Sequence, residues 1–181
     1  VFGMLGPTLK AELGWSESTY GWVVSAFTFA YALGMLSFGR FIDWIGVKVG
    51  YLVAVLVWSV SACGHALASS PWTFGGVRAA LGFGEGGNFP SAIRTTAEWF
   101  PQKERALATG IFNSGANVGA MCAAVSVPFL LSWLGWRYTF AILGATGFVW
   151  CLLWWRLYDS PQTHPHLSAA VSYTHLTLPT R

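Results

Sequence analysis

Hydrophobic runs of membrane length alternate with short polar breaks along most of the chain. Apolar stretches cover about 20–42, 49–69, 72–98, 105–133 and 137–158. Each is long enough for the roughly 20 residues that a helix needs to cross a bilayer. The breaks between them are brief: 14–18, 43–48, Ser70-Pro71, 99–104 and Gly135-Trp136. The pattern predicts five complete membrane helices within 14–158. Local signals sharpen it. Ser16, with Ser18 and Thr19 after it, offers an N-cap, and Ser70-Pro71 opens the third run. Pro90 and Pro128 fall inside runs and predict bends there.

The two ends of the chain break the pattern. Residues 1–13 begin apolar and turn polar at Lys10 and Glu12. Too short to span, they read as the end of a first membrane helix whose start is missing. Residues 159–170 are polar and read as a cytoplasmic tail, in which His164 and His166 are solvated residues rather than a metal pair. Residues 171–181 have no continuity with what precedes them. They resemble the translation of one frame of a common transposase sequencing adapter, and are set aside as an artefact.

Composition moves the reading firmly to lipid. Of 181 residues, 54% are hydrophobic and only 9% charged, against roughly 25% charged in soluble domains. The net charge of +3 is diffuse, with no basic cluster or nucleic-acid motif. Cys63, Cys122 and Cys151 lie in apolar runs without metal-ligand spacing and read as helix-packing residues. No metal or cofactor is expected. The glycines at 84, 86 and 87 lack the lysine and hydroxyl residue of a phosphate-binding loop. Charge placement gives an orientation. Arg40, Lys48, Arg94, Lys103, Arg105 and Arg156 fall on one side, and Lys10 and Arg137 on the other. By the positive-inside rule the first side is cytoplasmic.

Against that background Arg78 and Glu85 stand out. They sit seven residues apart in the third run, on one helical face and about 10 Å apart along the axis. Charges at membrane depth are costly and usually mark a substrate or proton path. A static Arg78–Glu85 ion pair that fixes packing is the bland alternative. Tyr31 could donate to a ligand oxygen or be an aromatic packing residue. Asn113 and Asn117, four apart and beside Ser114, could contact ligand hydroxyls or join helices by hydrogen bonds. His65 could relay a proton, or be a hydrogen-bonded histidine near the interface. In the loop 39–48, Gly39 would let helices approach and Gly46 would permit a tight turn. Asp43 could accept backbone N–H groups or pair with a cation, and Arg40 and Lys48 carry the positive charge of that side.

Several of these patterns resemble one family. Gly39-x-x-x-Asp43-x-x-Gly46-x-Lys48 resembles the signature loop between the second and third helices of the major facilitator superfamily. Arg78-x-x-x-Gly82-x-Gly84 resembles the motif on its fourth helix. Glu-Trp-Phe-Pro-Gln-Lys-Glu-Arg-Ala at 98–106 is similar to the corresponding loop of the anion:cation symporter family, and Gly-Ile-Phe-Asn-Ser-Gly-Ala-Asn-Val-Gly at 110–119 extends the likeness. Within that family the chain is most similar to hexuronate transporters, over about 6–167. The resemblance implies an all-α membrane protein, a partial N-terminal six-helix bundle of a twelve-helix fold, in which the five complete spans are helices two to six.

The resemblance also implies roles. Arg78 would bind a substrate carboxylate, Glu85 would carry the coupling proton, and Tyr31 would contact substrate. The loop with Gly39, Asp43, Gly46 and Lys48 would latch one conformational state. Elementary chemistry agrees with the first two. Arginine stays charged and offers a planar fork to a carboxylate, and burial favours the neutral form of a carboxylic acid. The implied function is symport of a small organic anion, such as a hexuronate or other sugar acid, with a proton or another cation, in a bacterial inner membrane. The alternatives are another organic anion of the same family or a non-transporting scaffold. An intramembrane enzyme would need a catalytic constellation that the sequence does not offer.

Overall fold

The structure, a computed structural model, describes residues 2–161. The expectations for His164, His166 and residues 171–181 fall outside them. The described residues fold into helices joined by short turns: α1 (Phe2–Leu13), α2 (Glu17–Ile45), α3 (Val47–Gly64) with a 3-10 turn at His65–Leu67, α4 (Pro71–Glu85), α5 (Asn88–Trp99) and α6 (Arg105–Leu157).

The helix starts follow the local chemistry. The Ser16 side chain accepts from the Thr19 N–H at 3.1 Å, which satisfies one of the orphan donors at the head of α2. Ser70 and Thr73 form a reciprocal capping box, with Pro71 at the first helical position. Between α2 and α3 the chain reverses on Gly46, at φ 86°, a backbone region that other residues enter only with strain.

One predicted run divides. The run 72–98 is not one helix. It is interrupted at Gly86-Gly87, where the Gly87 N–H turns back to Gly84 O at 3.0 Å, one residue short of the α-helical partner. Pro90 has no N–H to offer Gly86, its natural acceptor four residues back, so the ladder has a gap there. The runs 105–133 and 137–158 are the two parts of α6, separated where predicted by the non-helical Gly135, at φ 75° and ψ 172°. The chain turns at this glycine, while the backbone stays helical through Pro128. Among the described residues three helices are long and apolar enough to cross a membrane, Glu17–Ile45, Val47–Leu67 and Arg105–Leu157, and the last contains both of its predicted spans. The two pieces α4 and α5 are individually too short.

Packing is dominated by a seam between α2 and α4. A Cβ added at Gly34 would collide with the Phe83 backbone, and one at Gly82 with the Phe27 carbonyl. One at Gly86 would lie 2.6 Å from the Tyr31 carbonyl. Small residues replace the hydrophobic effect as the reason helices approach in lipid, because they let backbones touch. Gly39, by contrast, meets nothing within 4 Å. The close approach anticipated there occurs at Gly34, five residues earlier.

Two cores lie at opposite ends of the bundle. One gathers Phe2, Leu5, Leu9, Trp15, Phe74, Trp136 and Phe140, and the other Phe38, Ile42, Val47, Ala54 and Tyr158. Along α4, Phe74 belongs to the first core, and Gly87, just beyond its end, abuts Phe38 of the second. Arg78 and Glu85 therefore fall between the two. The outer surface is apolar: Leu36, Val125 and Leu157 are each 76% exposed, which suits a chain surrounded by lipid or by other helices and not by water.

The seam makes a prediction. Gly82→Val in detergent-purified protein should lower the melting temperature sharply and reduce the monodisperse yield. Gly76→Ala, on the same helix but facing open space, should be neutral or stabilising by up to about 1 kcal/mol. Equal behaviour of the two variants in a fluorescence-detected thermal melt would show that the seam does not hold α2 to α4.

Candidate functional site

The α4 register carries Arg78 and Glu85 to a single cavity of about 400 Å³. Its walls come from five helices: Phe2 of α1, Phe27 of α2, Trp58 and Ala62 of α3, Leu81 of α4, and Phe140 and Gly144 of α6. Arg78 and Glu85 are the charged residues that line it. Among the described residues no ion pair within 4 Å joins them. This arrangement differs from a static Arg78–Glu85 bridge.

Arg78 is held in another way. Its guanidinium carbon lies 4.2 Å from the Phe2 ring centroid and 4.4 Å from that of Phe27. A cation over an aromatic face is attracted by the ring quadrupole, most strongly where water is excluded. Its Nε is buried and has no hydrogen-bond partner. An unmatched donor of this kind is costly in a dry interior, and a carboxylate is the ligand that complements it. The site thus combines a fixed cation and an ionisable acid in one cavity, with neither neutralising the other at contact distance.

The other predicted residues lie elsewhere. Tyr31 packs on Phe27, with ring centroids 6.0 Å apart, one ring removed from Arg78. Asn113 and Asn117 are exposed on the first half of α6, and they do not line the Arg78 cavity. His65 is hydrogen-bonded in the interior of the bundle. It is fully buried, stacked on Phe140 at 4.7 Å, with Nδ1 2.7 Å from Ser61 O and Nε2 without a partner. Three aromatic rings from two further helices, Phe74, Phe140 and Trp136, close this end of the bundle and cover it.

At the opposite end the loop residues join a charged network. Asp43 pairs with Arg94 at 3.2 Å, and Arg94 also reaches Glu98 at 3.2 Å. Tyr158 donates to the second Glu98 oxygen at 3.0 Å. Lys48 pairs with Asp159 at 2.7 Å and lies over the Trp155 ring. The cation expected for Asp43 is Arg94, which the sequence had placed only as a positive charge on that side. These contacts tie α2, α3, α5 and the end of α6 together. Being partly exposed, each pair is worth little alone.

Sequence reasoning missed Phe2, Phe27 and Trp58. Phe27 could have been found from its i,i+4 relation to Tyr31. Nothing local to Phe2 or Trp58 signals the cavity, because both are carried there by helix packing. A second cavity of about 310 Å³ lies between α3, α5 and the two parts of α6, lined by Tyr51, Asn88, Thr95, Phe112, Trp150 and Trp154 among others, with no charged side chain.

With this geometry established, the chain can be set beside known proteins. It is 35% identical over 162 residues to the hexuronate transporter of Escherichia coli (strain K12), covering 90% of this chain and 38% of that protein. It is 34% identical over 162 residues to the galacturonate transporter of Dickeya chrysanthemi, covering 90% of this chain and 47% of the relative. It thus spans less than half the length of these curated relatives. Among solved structures, a bacterial homolog of the human lysosomal transporter Spinster, in an inward-facing and unoccupied conformation, matches with a TM-score of 0.68 at 23% identity, over 90% of this chain and 40% of that one. That likeness concerns the fold. The family model described as Major Facilitator Superfamily matches residues 1–178; the chain belongs to this superfamily, as a multi-pass, all-α membrane protein holding part of its fold.

Proposed function

We propose that this chain forms one wall of the pathway of a secondary active transporter, which carries a small organic anion, a hexuronate or similar sugar acid, together with a proton. The observation that carries the reading is the shared cavity. Arg78 and Glu85 face it from one helix, without a close ion pair between them. A structural pair in a scaffold would gain most from direct contact, since a buried charge left alone is strongly destabilising. A binding site gains from leaving the cation open to its ligand. The relatives' own functions, hexuronate and galacturonate transport, supply the substrate class.

The mechanism follows from the two side chains. The Arg78 guanidinium, always charged, takes the carboxylate of the anion through paired N–H donors. Glu85 takes up a proton from one side and releases it to the other as the bundle rocks against the remainder of the fold. Tyr31, Asn113 and Asn117 are proposed as further substrate contacts, reached when the remaining helices close over the exposed face of α6. The loop with Gly39, Asp43, Gly46 and Lys48 latches the state in which the Asp43–Arg94 and Lys48–Asp159 pairs are formed. Breaking such a partly exposed network costs little, as a latch that must open requires.

Two outcomes test this in the full-length protein reconstituted in vesicles. Arg78→Ala should weaken anion binding roughly 100-fold, the usual scale for removing one partner of a buried charge pair; unchanged affinity for galacturonate would remove the carboxylate role. Glu85→Gln should abolish accumulation driven by an imposed proton gradient while leaving exchange of labelled for unlabelled anion. Undiminished gradient-driven accumulation would remove the proton role.

A further inference from the structure

Arg78 is the centre of an aromatic column that runs across three helices. From α2, Tyr31 stacks on Phe27, with centroids 6.0 Å apart and planes 28° apart. Phe27 lies 4.4 Å from the Arg78 guanidinium carbon. On the other side Phe2 of α1 lies 4.2 Å from it, and Phe2 in turn stacks on Tyr20 at 5.2 Å, with planes 5° apart. Phe2 and Phe27 come from different helices, and the ring contacts among the described residues do not pair them with each other, so the cation separates them. Small residues permit both halves. Gly82 lets the Phe27 backbone reach α4, and a Cβ at Gly6 would lie 2.8 Å from the Tyr20 hydroxyl.

We infer that Phe27 and Phe2 are positioning residues for the anion. They fix the plane of the Arg78 guanidinium, so that its faces are closed and only its edge meets a ligand. The inference rests on the reading of Arg78 as the carboxylate seat. A guanidinium in a cavity can rotate about several side-chain bonds, and an in-plane, two-point contact with a carboxylate requires that rotation to be stopped beforehand. Neither an ion pair nor a hydrogen bond among the described residues stops it, and Nε has no partner at all. The two rings do so through their faces, a contact that uses none of the guanidinium N–H donors. Tyr31 and Tyr20 act one step further out, by backing the rings that touch the cation. In this arrangement Tyr31 serves the site through its ring.

The test uses the full-length transporter, purified and titrated with D-galacturonate by calorimetry, with the melting temperature of each variant as a check on folding. Phe27→Leu, which stays apolar and bulky but removes the face, should weaken binding about tenfold, within the range of desolvated cation–π contacts. Phe27→Tyr, which restores a face, should recover most of that loss. Arg78→Lys, whose ammonium has no plane to fix, should be costly in the parent and much less costly in the Phe27→Leu background, so that the two losses fail to add. Strict additivity, or full binding by Phe27→Leu while Arg78→Ala loses it, would overturn the positioning role and leave the anion seat standing. Unchanged binding by Arg78→Ala would overturn the seat and the positioning role together.

Discussion

A permanently charged group placed within an apolar helix bundle is the constraint that shapes this structure. Arginine cannot escape by losing its proton, and burial of an unpaired charge is costly. Proteins usually answer with a carboxylate at contact distance. Here the described residues answer with two aromatic faces, Phe2 and Phe27. Face contacts lower the cost of burial while keeping the donors of the guanidinium edge unspent. A carboxylate at contact distance would consume those donors. Glu85, on the same face of α4, is thereby left as an acid in its own right.

The arrangement depends on how closely α2 can lie against α4. Phe27 reaches Arg78 because Gly82 admits its backbone, and Gly34 and Gly86 extend the seam on either side. The seam ends where α4 ends, at Gly86-Gly87, directly after Glu85. The helix interruption therefore follows Glu85 directly, and α5 beyond it carries Arg94 and Glu98 of the charged network with Asp43. Cavity, helix break and charged network occur in sequence along one stretch, 78–98.

The bundle also has a one-sided character. Its α3 and the second half of α6 pack closely, with Gly144 and Gly147 against Cys63 and Ser59, whereas residues 113–122 of α6 are exposed throughout. The relatives are more than twice as long as the matched segment. An exposed apolar helix in such a chain is a surface for lipid or for the helices of the remaining fold, and Asn113 and Asn117 lie on it.

Much of the architecture was legible in the sequence because lipid is an undemanding solvent to read. Run length alone located the apolar segments, Ser16, Ser70 and Pro71 marked helix starts, and Gly46 marked a turn. Arg78 and Glu85 were legible for the same reason: in a segment of this hydrophobicity a charge has no bland explanation except pairing. Their spacing of seven put them on one face, and the structure puts them in one cavity. Sequence also carried the family, through the spacing of glycines and charges in 39–48 and 78–84.

Other features were decided only by tertiary structure. The break at Gly86-Gly87 depends on a hydrogen-bond gap that Pro90 opens but does not locate by itself. His65 reads as a hydrogen-bonded residue near a helix end, and only the packing of aromatic rings from α4 and α6 buries it completely. Gly39 and Gly34 look alike in sequence, and only the facing of α2 toward α4 makes one a contact and the other open surface. The Arg78 sandwich belongs to this second class. Sequence fixes that a charge must be buried there; which groups surround it is set by three helices meeting, and their approach depends on the backbone contacts that small residues allow.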